Sequence, residues 1–191
     1  DQAWVQWEKV IKVLVMTLVT MILINDQKKL RYFVMVIALS IGFLGIKGAI
    51  FTLSTGGEHM VYGPKGSFFG DNNDMALALN MVLPFLFYLM KNEENRRLKT
   101  LLLWTFIMSI VSVVFTYSRG GFITLAGVGA MLFLKSRHKI LTALIVMVIL
   151  FGVISYIPEQ WVNRMETIKT YEESQSAMGR IYAWYTAWNV A

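Results

Sequence analysis

Six apolar runs divide this chain and limit the folds open to it. Most of the runs approach the ~20 residues that cross a bilayer as an α-helix, and polar turns or a longer loop separate the runs. The first run is short unless part of residues 4–12 enters the membrane with it. A helix pairs its own backbone groups inside hydrocarbon, so runs of this kind predict spanning helices. We therefore predict an all-α fold, a polytopic transmembrane helical bundle of about six spans within residues 1–157. The predicted spans are residues 13–24, 32–51, 75–90, 100–116, 122–134 and 140–157.

The composition agrees with a membrane protein. Hydrophobic residues make up 56% of the 191 residues, and the mean hydropathy of +0.54 is well above that of a soluble domain. The formal charge of +6 does not indicate nucleic-acid binding, because the basic residues stand in short clusters between apolar runs. The chain has no cysteine, which excludes disulfides and thiolate metal sites.

The distribution of Lys and Arg predicts the orientation in the membrane. Three turns contain three, four and three of these residues: 25–31, 91–99 and 135–139. The alternate connections are nearly free of them, since loop 52–74 has Lys65 and the next hairpin has Arg119. Positive residues gather on the cytoplasmic side of membranes. We therefore predict a bacterial inner-membrane protein with a periplasmic loop at 52–74 and the start of a large periplasmic loop at 158–191.

The hairpin 115–121 joins the fourth and fifth predicted spans and contains a single cation. Arg119 is followed by Gly120 and Gly121, which have no side chains to cover the start of the next helix. Backbone N–H groups at a helix N-terminus favour anions, and a guanidinium offers two parallel donors to phosphate oxygens. The pattern predicts a site for a phosphate-bearing lipid, with open N–H groups beside Arg119. The alternative is that Arg119 only extends towards lipid headgroups.

The second predicted span carries a cation and a small-residue face. Gly45 and Ala49 are about one turn apart, a spacing that lets a neighbouring helix approach closely. Lys47 lies about one turn below the outer end, and it is either an anchor at the headgroups or the second cation of a diphosphate site. In the third span, Asn80 and Pro84 predict an interhelical hydrogen bond and a kink.

Polar residues at the end of the outer loop precede the third span. Asn72, Asn73 or Asp74 is predicted to cap this helix. The alternative is that Asp71, Asn72 and Asn73 form hydrogen bonds with a sugar. His59, Asp71 and Asp74 match no metal-ligand spacing, so neither a metal site nor a cofactor is predicted.

Residues 176–191 predict a further helix in the large outer loop. Apolar and aromatic residues recur there at helical spacing: Ile181, Trp184, Tyr185 and Trp188. This pattern is typical of an amphipathic helix at the membrane interface. Arg180 precedes Trp184 by one turn and is either its cation–π partner or a catalytic residue.

Three motifs carry a resemblance to a known family over most of the chain: YSRGG at 117–121, GSFFGDNNDMAL at 66–77 and GRIYAW at 179–184. With them the chain resembles the O-antigen ligase and polymerase superfamily, membrane glycosyltransferases that use polyprenyl-diphosphate-linked glycans. Segments 42–53 and 71–79 look more specifically like the O-glycosylation ligases associated with the exosortase A system.

The resemblance implies a metal-independent transfer in which basic residues hold the lipid diphosphate while an acceptor hydroxyl attacks the anomeric carbon. The catalytic candidates are Arg119 and Arg180, and the family's outer-loop His, the expected base, would lie downstream of Arg180. The expected partners are a polyprenyl-diphosphate-linked glycan donor, a lipid, polysaccharide or protein acceptor, and membrane lipid. The substrate-binding candidates are Lys47, Tyr117, Ser118, Gly120, Gly121, Asp71, Asn72 and Asn73.

The predicted function is a membrane glycan ligase acting on the periplasmic face. A polysaccharide polymerase and a lipid-linked oligosaccharide transporter remain open as alternatives, although a transporter should carry polar groups on several helices through the midplane. The chain opens on Asp1 and stops at Ala191 within a predicted helix, so we expect a fragment that transfers nothing alone. His138 falls in a cytoplasmic turn and His59 in a loose loop, and neither is expected to be the base.

Overall fold

A computed structural model describes residues 2–135 and 175–190 of the chain. The described residues form helices joined by turns and one long loop, and they contain no strand, which confirms the predicted all-α class. The helices are α1 (Gln2–Leu23), α2 (Gln27–Ser54), α3 (Asn72–Lys91), α4 (Arg96–Val114), α5 (Arg119–Lys135) and α6 (Gln175–Val190).

Three of the described helices, α2, α3 and α4, are long and apolar enough to cross a membrane. α1 contains a shorter apolar stretch, Val10–Leu23. α5 covers the fifth predicted span, whereas the sixth, residues 140–157, lies outside the described residues. The membrane-protein class therefore has support from three spans, and the total of six stays a prediction.

The contact between α2 and α4 is made by small residues. Gly42, Gly45 and Gly48 are buried along one face of α2. A Cβ added at Gly45 would lie 2.5 Å from the Ser109 hydroxyl oxygen of α4, and one at Gly48 would overlap the Ser112 hydroxyl. No side chain fits between these backbones, so glycine is what permits the close approach. The predicted small-residue face on α2 is confirmed.

α3 packs against both of these helices. Leu86 of α3 clusters with Ala38 of α2 and Leu102 of α4, and all three are buried. Lipid tails are as apolar as leucine, so close fit rather than removal from water stabilises such contacts in a membrane. The helix continues through Pro84 from Asn72 to Lys91, and α5 packs on α3 and α4.

The connections sort into two ends of the bundle. At one end, the Arg31 guanidinium donates to Glu93 Oε2 at 2.8 Å and joins the start of α2 to the α3–α4 turn. At the other end, the Val61 N–H donates to the Phe115 carbonyl at 2.9 Å and joins the α2–α3 loop to the α4–α5 turn. We name them the basic end, with residues 24–31 and 91–99, and the hairpin end, with residues 55–71 and 115–121. The side of the membrane that each end faces stays a prediction.

Helix boundaries differ from the predicted turns because helices extend past the apolar runs. α2 begins at Gln27, so the basic residues of the predicted turn 25–31 lie on the helix. Residues 24–26 alone connect it to α1. α2 also continues to Ser54, which shortens the predicted loop 52–74 to 55–71. Hydropathy marks where the bilayer ends, whereas the helix ends where its backbone hydrogen bonds stop.

Candidate functional site

The α4–α5 turn reverses the chain within four residues, 115–118. Tyr117 has a φ of 55°, in the left-handed region that residues with a side chain rarely adopt. Ser118 ends the turn, and its hydroxyl oxygen accepts a hydrogen bond from the Gly121 N–H at 3.1 Å. Ser118 therefore caps the N-terminus of α5 and fixes the direction in which that helix starts.

Arg119 is the first residue of α5 and is half-buried. The space around Gly120 is open, whereas a Cβ at Gly121 would lie 2.6 Å from the Ala76 Cβ of α3. The prediction that both glycines leave open N–H groups is wrong for Gly121, because its N–H is bonded to the Ser118 hydroxyl. The open surface beside Arg119 is therefore that of Gly120, and Gly121 is needed for close packing of α5 on α3.

Three asparagines of α3 hold the hairpin from one side, each through one hydrogen bond. Asn72 Nδ2 donates to the Thr116 carbonyl at 2.9 Å, Asn73 Oδ1 accepts from the Ser118 hydroxyl at 2.7 Å, and Asn80 Nδ2 donates to the Gly121 carbonyl at 3.0 Å. The Asn80 bond confirms the predicted interhelical hydrogen bond. Asn72 and Asn80 are buried, so water does not compete for their bonds.

The cap of α3 is Asp71. Its carboxylate accepts from the Asn73 N–H at 3.0 Å and from Asn73 Nδ2 at 2.9 Å. The expectation that Asn72, Asn73 or Asp74 caps the helix is therefore wrong by at least one residue, because the Asn72 side chain turns inwards to Thr116. With these bonds Asp71, Asn72 and Asn73 have structural roles, and a role in sugar binding stays a prediction.

Tyr117 is buried and connects the hairpin to the α2–α3 loop. Its hydroxyl donates to the Gly57 carbonyl, and its ring packs 6.3 Å from that of Phe115. Burial raises the pKa of Tyr117, and the Glu58 carboxylate adds to the effect. The phenol therefore stays protonated at neutral pH and acts as a donor. Sequence reasoning missed Gly57, although the glycine-rich loop was a signal for an unusual turn.

Lys47 lies beside a groove at the hairpin end. The groove is a cavity of about 350 Å³, and its walls include Leu44, Phe51, Val61 and Met75. The Lys47 side chain is exposed, with its ammonium 6.0 Å from the Phe43 ring. Val61 both lines this groove and bonds to Phe115, so Lys47 shares one end of the bundle with Arg119. Its role in diphosphate binding stays a prediction.

The remaining candidates are less well placed. Arg180 lies in α6, which confirms the predicted helix, but its side chain and the predicted pair with Trp184 lie outside what the structure describes. His59 is exposed, with its ring 6.4 Å from that of Phe51, and His138 lies outside the described residues. Within residues 2–135 and 175–190, no group of three His, Cys, Asp or Glu side chains is close enough to hold a metal ion.

These observations define the class as a helical membrane protein with a polar network beneath a cation at one end of the bundle. Residues 104–191 match the family model described as O-Antigen ligase, and residues 1–94 match a family of unknown function (DUF5935). The first match includes the hairpin and α6. It supports the O-antigen ligase and polymerase superfamily and a glycosyltransferase-like enzyme. No curated protein and no solved structure shows significant similarity to the chain.

Proposed function

We propose that this chain belongs to a membrane glycan ligase that transfers a polyprenyl-diphosphate-linked glycan to an acceptor hydroxyl at the hairpin end. The O-antigen ligase match over residues 104–191 supports the reaction class, and it includes the candidate anion site at Arg119. The acceptor is a lipid, a polysaccharide or a protein. The proposed location is the bacterial inner membrane, with the hairpin end facing the periplasm, and the narrower relation to exosortase-associated ligases belongs to this proposal.

The observation that carries the proposal is the position of Arg119 on the first residue of α5. A cation at a helix N-terminus is repelled by the positive end of the helix dipole. An anion bound there interacts favourably with both the guanidinium and the helix N-terminus. Gly120 leaves the adjacent surface open. This arrangement favours a ligand with several phosphate oxygens.

The proposed reaction needs charge stabilisation more than covalent participation by the protein. The acceptor oxygen forms a bond to the anomeric carbon while the bond from that carbon to the diphosphate oxygen breaks. The polyprenyl diphosphate leaves with the bonding electron pair, and Arg119 stabilises the additional negative charge. The acceptor proton passes to a base, which the resemblance places downstream of Arg180. The reaction is metal-independent in this proposal, and Lys47 adds a second cation to the donor site.

A polymerase would use the same chemistry with a growing glycan as the acceptor, and the matched family includes both activities in its scope. A transporter is less well supported. The Asp, Glu, Lys and Arg residues of α2, α3 and α4 lie within about two turns of the helix ends rather than at mid-helix. The identity of the acceptor product separates a ligase from a polymerase.

The test is Arg119→Lys in the full-length protein. A lysine keeps the charge but loses the two-point contact with phosphate oxygens. We expect transfer to fall about 10- to 100-fold, the loss of one or two charge-assisted hydrogen bonds. The measurement is release of polyprenyl diphosphate from lipid-linked glycan extracted from producing cells, with membrane insertion checked in parallel.

The matched control is Arg97→Lys, an exposed residue of the first turn of α4 at the basic end. We expect its transfer rate to equal that of the wild type. Normal transfer by Arg119→Lys would reduce Arg119 to a membrane anchor and contradict the proposal. An equal loss in both variants would show a general effect of Arg-to-Lys replacement.

A further inference from the structure

Asn80 of α3 makes a buried contact with the start of α5. Its side chain is 1% exposed, and Nδ2 donates to the Ala76 carbonyl at 2.9 Å and to the Gly121 carbonyl at 3.0 Å. The amide oxygen Oδ1 is also buried, but it has no hydrogen-bond partner among residues 2–135 and 175–190. Asn80 therefore uses its two donor bonds and leaves its acceptor unpaired.

An unpaired acceptor in a buried site is unfavourable for stability. Leucine has a similar shape and would fill the same space without a polar atom to desolvate. Packing alone therefore does not explain an amide at this position. The bond to Gly121, on another helix, is the feature that only a polar side chain provides, and departures from the most stable choice are expected near functional sites.

Arg119 lies between two residues that α3 holds in place. Ser118 immediately precedes it and bonds to Asn73, and Gly121 follows two residues later and bonds to Asn80. Both bonds restrain the backbone of the first turn of α5. The backbone direction at Arg119 determines where its guanidinium can reach, so the restraint on the turn is a restraint on the cation.

We propose that Asn80 is a positioning residue for Arg119, acting through the Gly121 carbonyl. This inference rests on the proposed function of Arg119 and deepens it. Asn80 lies eight residues after the start of α3, about 12 Å along the helix axis, and is buried. It therefore acts through the backbone of α5 rather than by contact with the donor.

Two variants of the full-length protein remove the Gly121 bond in different ways. Asn80→Leu removes both donor bonds and keeps the volume. Asn80→Ser keeps a hydroxyl that bonds to the carbonyl four residues earlier, that of Ala76, but is too short to reach Gly121. Misplacing a catalytic group by about 1 Å can cost up to ~10²-fold in rate. We expect about a 10-fold loss of kcat in both variants, with little change in the KM for the acceptor.

A double-mutant comparison separates positioning from general loss of structure. If Asn80 acts through Arg119, each Asn80 variant should lower transfer about 10-fold in the wild-type background and less than about 2-fold in the Arg119→Lys background. The control is Ser109→Ala on α4, which removes a buried hydroxyl that also has no hydrogen-bond partner within the described part of the chain. Its effect should be the same in both backgrounds. Equal losses for the Asn80 variants in both backgrounds would show a structural role alone and overturn the inference.

Amide hydrogen exchange in detergent gives a readout that does not depend on activity. We expect faster exchange at residues 116–122 in both Asn80 variants, with the exchange of α2 and α4 unchanged. Unchanged exchange at 116–122, with Arg119→Lys still impaired, would overturn this inference alone. Normal transfer by Arg119→Lys would overturn the proposed function and this inference with it.

Discussion

The two ends of the bundle hold their polar residues in opposite ways. At the basic end the charged side chains are mostly exposed, and the described ion pair joins Arg31 to Glu93. At the hairpin end uncharged polar side chains are buried and bonded to backbone groups, as Asn72 is to Thr116. Charge without burial costs little and orients helices in a membrane, whereas buried polar contacts fix the positions of atoms. The difference identifies the hairpin end as the place to look for a site.

Helix dipoles sharpen this contrast. The basic residues of α2 and α4 that lie at the basic end stand in or next to the first turns of those helices, where a positive charge is unfavourable. Helix stability does not account for them there, whereas the predicted orientation in the membrane does. α3 begins with Asp71 and Asp74, the favourable arrangement, and α5 begins with Arg119. At the hairpin end, Arg119 is thus the residue whose position runs against helix stability.

The largest expected effect concerns which end faces outwards. Residues 1–191 contain no cysteine, so single cysteines can be introduced here without a background signal from this part of the protein. Ser54→Cys, at the last residue of α2 beside the hairpin end, should react in intact cells with a thiol reagent that does not cross membranes, and Asn92→Cys at the basic end should not. Both positions are exposed, so access to the protein surface is matched. Reaction of the Asn92 variant from outside would reverse the predicted orientation.

The next effect compares two adjacent glycines of the hairpin. Gly121→Ala places a methyl group against Ala76 and should lower the free energy of unfolding by about 1–3 kcal/mol. Gly120→Ala meets open space, lies within α5, and should leave stability unchanged or raise it by up to ~1 kcal/mol. Denaturant unfolding in detergent measures both. Equal values would show that α5 does not pack on α3 as closely as the structure has it.

A smaller effect is expected for Tyr117→Phe, which leaves the Gly57 carbonyl without its donor. We expect a loss of about 1 kcal/mol at neutral pH. The pKa of Tyr117 is raised in the folded state from 10.0, so the protonated phenol stabilises the fold fully below pH 10. Above pH 10 the unfolded chain releases this proton first, and the stabilisation falls as the pH rises. The difference between wild type and variant should therefore shrink above pH 10.

The control for this measurement lies at the basic end. Glu93→Gln breaks the ion pair with Arg31, in which the Arg31 side chain is 46% exposed and the Glu93 side chain 10% exposed. With one half-exposed partner, this pair should contribute about 1 kcal/mol or less, and salt should reduce the effect. Its stability difference should not change near pH 10. A larger loss for Glu93→Gln than for Tyr117→Phe would contradict the contrast between the two ends.

Sequence patterns predicted the helices and the pairing of connections into two ends, because both follow from local signals. The apolar runs indicated α2 to α5, and the glycines of α2 indicated its close neighbour. Asn80 was predicted to bond to another helix because a polar amide in hydrocarbon needs a partner. The boundaries were less accurate, since polar residues such as Lys28 lie on the helix as it leaves the bilayer.

The arrangement of the candidate site was not predictable in the same way. The bonds from Asn72 to Thr116 and from Tyr117 to Gly57 join residues 44 and 60 positions apart. No local pattern specifies such partners, which depend on how the helices pack. The same packing covers Gly121 with α3, whereas the sequence offers no reason to distinguish Gly121 from Gly120. The local sequence thus predicted the neighbours of Arg119 in the hairpin, while tertiary contacts decide which of them remain available to a ligand.

Val61 contacts both the groove beside Lys47 and the hairpin, so it couples the two. Its side chain is part of the groove wall beside Lys47, and its N–H holds the Phe115 carbonyl at 2.9 Å. A molecule that fills the groove and shifts the backbone of Val61 must also lengthen or break that hydrogen bond. Occupancy of the groove and the conformation of the hairpin are then linked equilibria. By reciprocity, if occupancy of the groove changes the affinity of the hairpin for a ligand, that ligand changes the affinity of the groove for its occupant by the same factor.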